Sequence, residues 1–196
     1  MKKFVVILVL FLSLIIYICI SKHNVPNSAI NSELRLIGIV IRTFWPCFNG
    51  FKLKFCNFFI RLIGKLIFWS KHTDHQNIYI ERKDGTKLRL CLFLPKKENR
   101  KVNVPGLLWI HGGGYAITMP EQDIHYIDNI VSEFGFVVVS PDYRSSTDFP
   151  YPAALDDCYS AILWMKNHAK EYNIRDDQLF VGGDSAGGGL TIALAL

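Results

Sequence analysis

Two stretches of the chain carry residue types suited to nucleophilic attack on a carbonyl carbon. The first, Gly183-Asp184-Ser185-Ala186-Gly187, has the spacing Gly-x-Ser-x-Gly. It is preceded by a strand-like run, Gln178 to Val181, and followed by a helical stretch from Ala186 through Leu190, Ile192 and Leu194. A serine lifted on a tight strand-to-helix turn needs neighbours two positions away that lack side chains, since a Cβ there would strike the strand or the helix. The positive end of the following helix then lies beneath a developing oxyanion. The second stretch, His111-Gly112-Gly113-Gly114-Tyr115, follows an apolar run ending at Ile110. Glycines leave their backbone N–H groups unshielded, and such donors, aimed at an oxygen that gains charge, are each typically worth about 10²- to 10³-fold in rate. Taken alone, a glycine triplet is a flexible turn. It lacks the Gly-x-Gly-x-x-Gly pattern or the Gly-Lys-Ser/Thr ending that a phosphate loop needs.

These stretches must be positioned by a layered α/β domain. From Ile78 onward, short β-like runs alternate with helical ones. Asn77 to Arg82 and Lys87 to Leu94 form an expected hairpin with Asp84-Gly85 as its turn. Val104 to Ile110 and Phe136 to Ser140 suit buried parallel strands, with a helix over Asp123 to Phe134 between them. Pro152 to Asn167 is a clearer helix, since Leu155, Cys158, Ile162 and Met165 share one face. The fold class is α/β: a sheet, incomplete for its class, with helices on both faces. The residues divide into an N-terminal segment over 1–22, a linker with helical cap over 23–76, and the α/β domain over 77–196.

The N-terminal segment has a membrane character. Met1, Lys2 and Lys3 precede the apolar run Phe4 to Ile20, about 17 residues, the lower limit for a spanning helix. Its Leu, Ile, Val and Phe content favours insertion by several kcal/mol. No small-x-small cleavage pattern follows, so an uncleaved single-pass anchor is expected, with the amino terminus cytoplasmic and the domain on the far side; a cleaved signal would leave the domain secreted. Beyond Val25 to Asn31, helical character runs over Glu33 to Trp45 and Lys52 to Trp69, interrupted by Pro46 and Gly50. In the second helix Lys54, Asn57, Arg61 and Lys65 line one side and leave Phe55, Phe58, Phe59, Leu62, Ile63, Leu66 and Phe68 on a wide apolar face. Such a face is expected to pack on the domain, the alternatives being a lid over a site or a face on the bilayer.

Composition narrows the remaining classes. Half the residues are hydrophobic and a fifth charged, so the chain can bury a core. The net charge of +5 comes from Lys and Arg set among aromatic and aliphatic residues, which suits a membrane surface and not nucleic acid. Five scattered cysteines, none in a Cys-x-x-Cys pair, indicate neither a metal site nor a disulfide framework, and no cofactor motif is present. They read mainly as buried thiols.

Four motifs in order, His111 to Tyr115, Ser140 to Arg144, Phe149 to Asp157 and Gly183 to Gly188, resemble the hormone-sensitive-lipase-like branch of the α/β-hydrolases over about residues 77 to 196. The resemblance implies hydrolysis of carboxylic esters, with Ser185 as nucleophile and the N–H groups of Gly113, Gly114 and Ala186 as oxyanion donors. It implies that His111 and Gly112 shape the loop, that Asp184 and Tyr143 are supporting residues, and that the N-terminal helices correspond to a cap. Ser145 to Asp148 departs from the usual Leu-Ala-Pro-Glu stretch, and Gly189 stands where Asn is common. In this branch the acid and the histidine follow the serine, yet 186–196 holds neither. His23, His72, His75, His125 and His168 lie upstream, as do Asp142, Asp156 and Asp157, and are expected in surface or capping roles. The 196 residues are therefore expected to be an N-terminal portion truncated after the nucleophile helix, to be nearly inert toward esters alone, and to leave the last strand as an open edge. A non-catalytic, membrane-associated binding protein is the competing class. A chymotrypsin-like reading fails because Ala186 interrupts the Gly-Gly that it needs.

Overall fold

A computed structural model describes residues 31–35, 38, 50–67, 70, 72–117 and 119–196. By internal contacts the chain forms two compact units, Met1–Lys52 and Leu53–Leu196. In the first, a 3₁₀ turn spans Ser32–Leu34, and the Asn31 side chain accepts the Glu33 N–H. The expected anchor over Phe4 to Ile20 lies outside the described residues, as does most of the helix expected over Glu33 to Trp45. Among the described residues no helix is long and apolar enough to cross a membrane.

The second unit is a five-stranded mixed sheet flanked by helices. Helix α1 runs over Gly50–Ile67, followed by the hairpin β1 (Thr73–Glu81) and β2 (Lys87–Pro95), then β3 (Val104–Ile110), α2 (Ile124–Phe134), β4 (Val137–Pro141), α3 (Ala153–Asn167), β5 (Ile174–Gly183) and α4 (Ala186–Ala195). The strand order is β1-β2-β4-β3-β5, with β2 antiparallel to β4, and β3 parallel to both β4 and β5. Gly85, at φ +79°, makes the expected hairpin turn. Alternation along the strands divides two apolar layers. Leu88, Leu90, Leu92, Leu108, Ile110 and Val139 face α3 and α4 with Ala161, Met165 and Leu190. Cys91, Phe93, Leu107 and Val138 face α2 with Ile124, Ile127 and Val131. Helix α2 ends where Gly135 takes the left-handed conformation, φ +74°, and its N–H closes on Val131 O. Strand β5 starts four residues earlier than expected because Ile174 pairs with Val104, and it forms an edge of the described sheet, as expected.

Helix α1 meets the body through polar side chains. The Arg61 guanidinium grips the Asp142 carboxylate with two hydrogen bonds of 2.7 and 2.6 Å, and Lys54 meets Asp148 at 2.5 Å. Of the apolar side chains described on this helix, Phe58, Phe59 and Leu62 are 61, 40 and 58% exposed. Asp157, expected in a surface or capping role, is buried and paired, and Asp142, expected likewise, is half-buried and paired. Asp157 accepts hydrogen bonds from Arg82 Nε at 2.8 Å, Arg144 Nη2 at 2.9 Å and the Arg144 backbone N–H at 2.9 Å, tying the hairpin and the segment after β4 to the first turn of α3. Cys91 and Cys158 are buried, and desolvation pushes both thiols well above the usual range; Cys56 is exposed.

Candidate active site

The residues expected to act together meet where β3 and β5 run side by side. Both strands end at one level, Ile110 paired with Gly183, so the segments leaving them start as neighbours. On the β5 side the chain turns at Ser185 and enters α4 at Ala186. Ser185 is exposed and has φ 51° and ψ −114°, a conformation that costs a non-glycine residue roughly 1–3 kcal/mol. The turn is held by the Asp184 N–H donating to Ile110 O at 3.2 Å and the Gly187 N–H donating to Asp184 O at 2.7 Å. Both glycines of the motif are required by contact. A Cβ on Gly183 would stand 2.5 Å from the Ile110 carbonyl oxygen, and one on Gly187 would be driven into that same oxygen.

On the β3 side the triple glycine passes directly against the serine. A Cβ on Gly112 would lie 3.0 Å from a carboxylate oxygen of Asp184 and 3.4 Å from Ser185 Cβ, so the two backbones approach as closely as bare glycine permits. Gly113, at φ +116°, turns its carbonyl back toward the following residues and accepts the N–H groups of Ala116 and Ile117 at 3.1 and 2.9 Å. Because a trans peptide directs its N–H opposite its carbonyl, the Gly114 N–H leaves on the other side of that peptide. Gly114 and Tyr115 are exposed, and Ala186, the first residue of α4, is buried.

His111 is fully buried and stacked on Tyr143, with ring centroids 4.2 Å apart. Its Nδ1 lies 2.8 Å from Gly112 O, an oxygen that can only accept, so Nδ1 carries the hydrogen. Nε2 is buried and has no hydrogen-bond partner among the described residues. Desolvation lowers the imidazole pKa to about 4, so His111 is neutral near pH 7. The Tyr143 hydroxyl donates to His111 O at 2.8 Å. Both residues therefore brace the loop from beneath.

A second brace escaped the sequence reading. The turn Pro120–Asp123, ahead of α2, places Gln122 Nε2 3.0 Å from Gly112 O. Asp123 accepts the Trp109 indole N–H at 2.9 Å. Burial pushes the Asp123 carboxyl above the usual range and the Asp184 charge adds to this, against the hydrogen bonds from Trp109 and the Gly112 N–H. The only trace in sequence was a Pro-initiated polar tetrad, which reads as an ordinary helix start. The neighbouring Glu121 pairs with Arg89, whose Nε also meets Asp142 at 3.0 Å. Burial opposes the Asp142 charge, but Arg61 and Arg89 hold the carboxyl below its ordinary range.

The other titratable groups noted in sequence have places of their own, His125 being exposed on α2. His168 Nδ1 lies 2.9 Å from Trp164 O, and His75 sits on β1, at the edge of the sheet remote from β5. Asp142 and Asp157 are committed to arginines. Asp156 is exposed on α3, and His72 borders a separate cavity with Lys96 and Arg100. His23 lies outside the described residues. Beyond Tyr115, whose hydroxyl overlies Gly189, a cavity of about 280 Å³ is lined by Tyr115, Phe149, Tyr151, Leu155, Leu190 and Gly189. A side chain at 189 would meet the end of the exposed Tyr115 side chain.

Residues 107–196 match the model of a family described as alpha/beta hydrolase fold. The chain is 32% identical over 98 residues to Lipase 2 of Moraxella sp. (strain TA144), covering 50% of this chain and 23% of that protein. It is 33% identical over 87 residues to the hormone-sensitive lipase of Mus musculus, covering 44% of this chain and 12% of that protein. Among solved structures, an esterase of Pyrobaculum calidifontis superposes with a TM-score of 0.65 at 26% identity, over 76% of this chain and 48% of that one. The chain spans less than two fifths of the length of the curated relatives it matches. With its motifs in order and its strand ends converging on Ser185, the chain is similar to the hormone-sensitive-lipase-like esterases of the alpha/beta hydrolase fold.

Proposed function

We propose that this chain carries the nucleophile and the oxyanion donors of a carboxylic ester hydrolase. The Ser185 Oγ attacks the ester carbonyl carbon, forming the acyl C–O bond as the carbonyl oxygen takes up charge. The N–H groups of Gly113, Gly114 and Ala186 receive that charge, the hydroxyl proton passes to water, and collapse of the intermediate expels an alkoxide that takes a proton from water, leaving an acyl-serine that a second water cleaves to the acid. One observation supports this above all: the triple glycine runs beside the serine turn, so that a Cβ added to Gly112 would stand 3.2 Å from the Asp184 carbonyl oxygen and 3.4 Å from Ser185 Cβ. The strained Ser185 backbone supports the same reading. The apolar cavity bordered by Tyr115 and Gly189 suits the hydrocarbon part of an ester.

Treatment of the protein with a fluorophosphonate, followed by peptide mass analysis, tests the proposal. A phosphonyl adduct on the peptide containing Ser185, absent after Ser185→Ala, is the expected result. A protein that stays unlabelled in membranes and in detergent refutes it and favours the non-catalytic binding class.

We further propose that residues 4–20 anchor the protein in a membrane with the second unit on the extracytoplasmic side. The apolar run behind Lys2 and Lys3, broken only by Ser13, supports this, and so do the outward Phe58, Phe59 and Leu62 of α1 beside basic residues. In sealed membranes the second unit should resist added protease; digestion from the cytoplasmic face refutes the orientation.

A further inference from the structure

The Gly112 carbonyl is held by side chains from two different parts of the fold. His111 Nδ1 donates at 2.8 Å and Gln122 Nε2 at 3.0 Å, which together take both lone pairs of one oxygen, while the Tyr143 hydroxyl stands further off at 3.4 Å and has His111 O as its main acceptor. A trans peptide is planar, so fixing the Gly112 carbonyl toward these buried donors directs the Gly113 N–H to the opposite side. Of the two close donors, the His111 imidazole belongs to the loop and would travel with it. Gln122 belongs to the turn Pro120–Asp123 ahead of α2, which is packed on the sheet, so it alone of the two refers the peptide to the body of the domain.

We infer that Gln122 is a positioning residue for the oxyanion donor, its side-chain amide locking the Gly112–Gly113 peptide in the orientation that leaves the Gly113 N–H free for an incoming carbonyl oxygen. This inference rests on the reading of Ser185 as an acyl-transfer nucleophile. Gln122 touches no reacting atom. Its effect passes through one peptide plane, and Asp123 and Trp109 steady the turn that carries it.

Gln122→Met keeps the length of the side chain and removes the donor. Gln122→Glu removes it only while the carboxyl is ionised, since the protonated acid can again donate to the Gly112 oxygen. Carbonyl ¹³C NMR of Gly112 reads the hydrogen bond without any turnover. Its resonance should move upfield in Gln122→Met, move upfield in Gln122→Glu at pH 8, and return in the latter as the acid is protonated. Loss of an entire oxyanion donor typically costs about 10²- to 10³-fold, and loss of one of two holders of a donor is expected to cost about tenfold. The rate of fluorophosphonate capture at Ser185 should fall by that factor in Gln122→Met, at unchanged half-saturating probe concentration, and Gln122→Glu should regain rate relative to wild type between pH 8 and pH 5. A Gly112 resonance unmoved in Gln122→Met overturns the inference, as does a moved resonance with wild-type capture. A wild-type protein that captures no probe, with the resonance moving as expected, instead brings down the reading of Ser185 and leaves the hydrogen bond standing.

Discussion

Replacing Asp157 with Asn tests whether the domain is held by buried charge at its α3 end. The carboxylate is 1% exposed and accepts five hydrogen bonds: Arg82 Nε at 2.8 Å and Arg144 Nη2 at 2.9 Å on one oxygen, and the Arg144 N–H at 2.9 Å, Arg144 Nε at 3.1 Å and Arg82 Nη2 at 3.2 Å on the other. Asparagine offers one acceptor oxygen, so whichever way the amide turns, its NH₂ faces donors and two or three of these bonds are lost. Hydrogen bonds to charged groups are worth about 1.5–3 kcal/mol each, but they share two guanidiniums and do not add. Breaking a buried pair by removing one partner typically costs about 3–5 kcal/mol. Arg82 and Arg144 keep 11 and 18% of their side-chain exposure and recover some hydration, which places the expected loss near the lower end, about 3 kcal/mol. For a unit of this size that is a fall of roughly 10 °C in the unfolding midpoint. Chemical denaturation followed by tryptophan fluorescence measures it. A loss below about 1 kcal/mol refutes the argument, because the five contacts would then be no better than exposed ones.

Four further outcomes follow. His111 has a folded pKa of about 4 against an ordinary value of 6.5, so the unfolded chain binds more protons between those pH values. Stability should therefore drop by about 2 kcal/mol from pH 7 to pH 5, and His111→Phe, which keeps a ring against Tyr143, should flatten that slope in urea titrations. Ser185→Gly should abolish fluorophosphonate capture while raising stability by about 1 kcal/mol, since glycine adopts φ 51° freely; a destabilised variant would contradict the strain argument. Gly187→Ala forces a methyl against Ile110 O and should lower capture at least tenfold in a protein that still unfolds cooperatively. Arg61→Ala should expose α1 to limited proteolysis, whereas Lys54→Ala, losing a half-exposed pair, should leave the digestion pattern unchanged.

The parts legible in sequence are those fixed by local pattern. Val104 to Ile110 is the strand read from its apolar run, and helix α3 begins within one residue of its expected start, because alternation and helical periodicity respond to burial directly. Gly183 and Gly187 were readable as steric requirements, and the Ile110 carbonyl is the atom that imposes both. What the sequence did not disclose depends on partners distant along the chain. The contact of Arg61 on α1 with Asp142, 81 positions away, is one that no local pattern of the helix announces. Asp157 reads as a helix-start residue until Arg82 and Arg144 arrive from other elements. Gln122 carries no signature at all, since its function comes from the 3.0 Å it stands from one carbonyl.

That carbonyl chemistry converges on a neighbouring atom. The Ile110 oxygen receives the Asp184 N–H, limits Gly183 and Gly187, and belongs to the residue from which the glycine loop departs. A single peptide group thus serves as the common datum for both halves of the site, so the span between hydroxyl and amides is gauged over one or two bonds and not across the whole domain. Shear among the outer strands, or drift of α1, would leave that span intact, whereas a rotation of this one peptide would shift both halves at once.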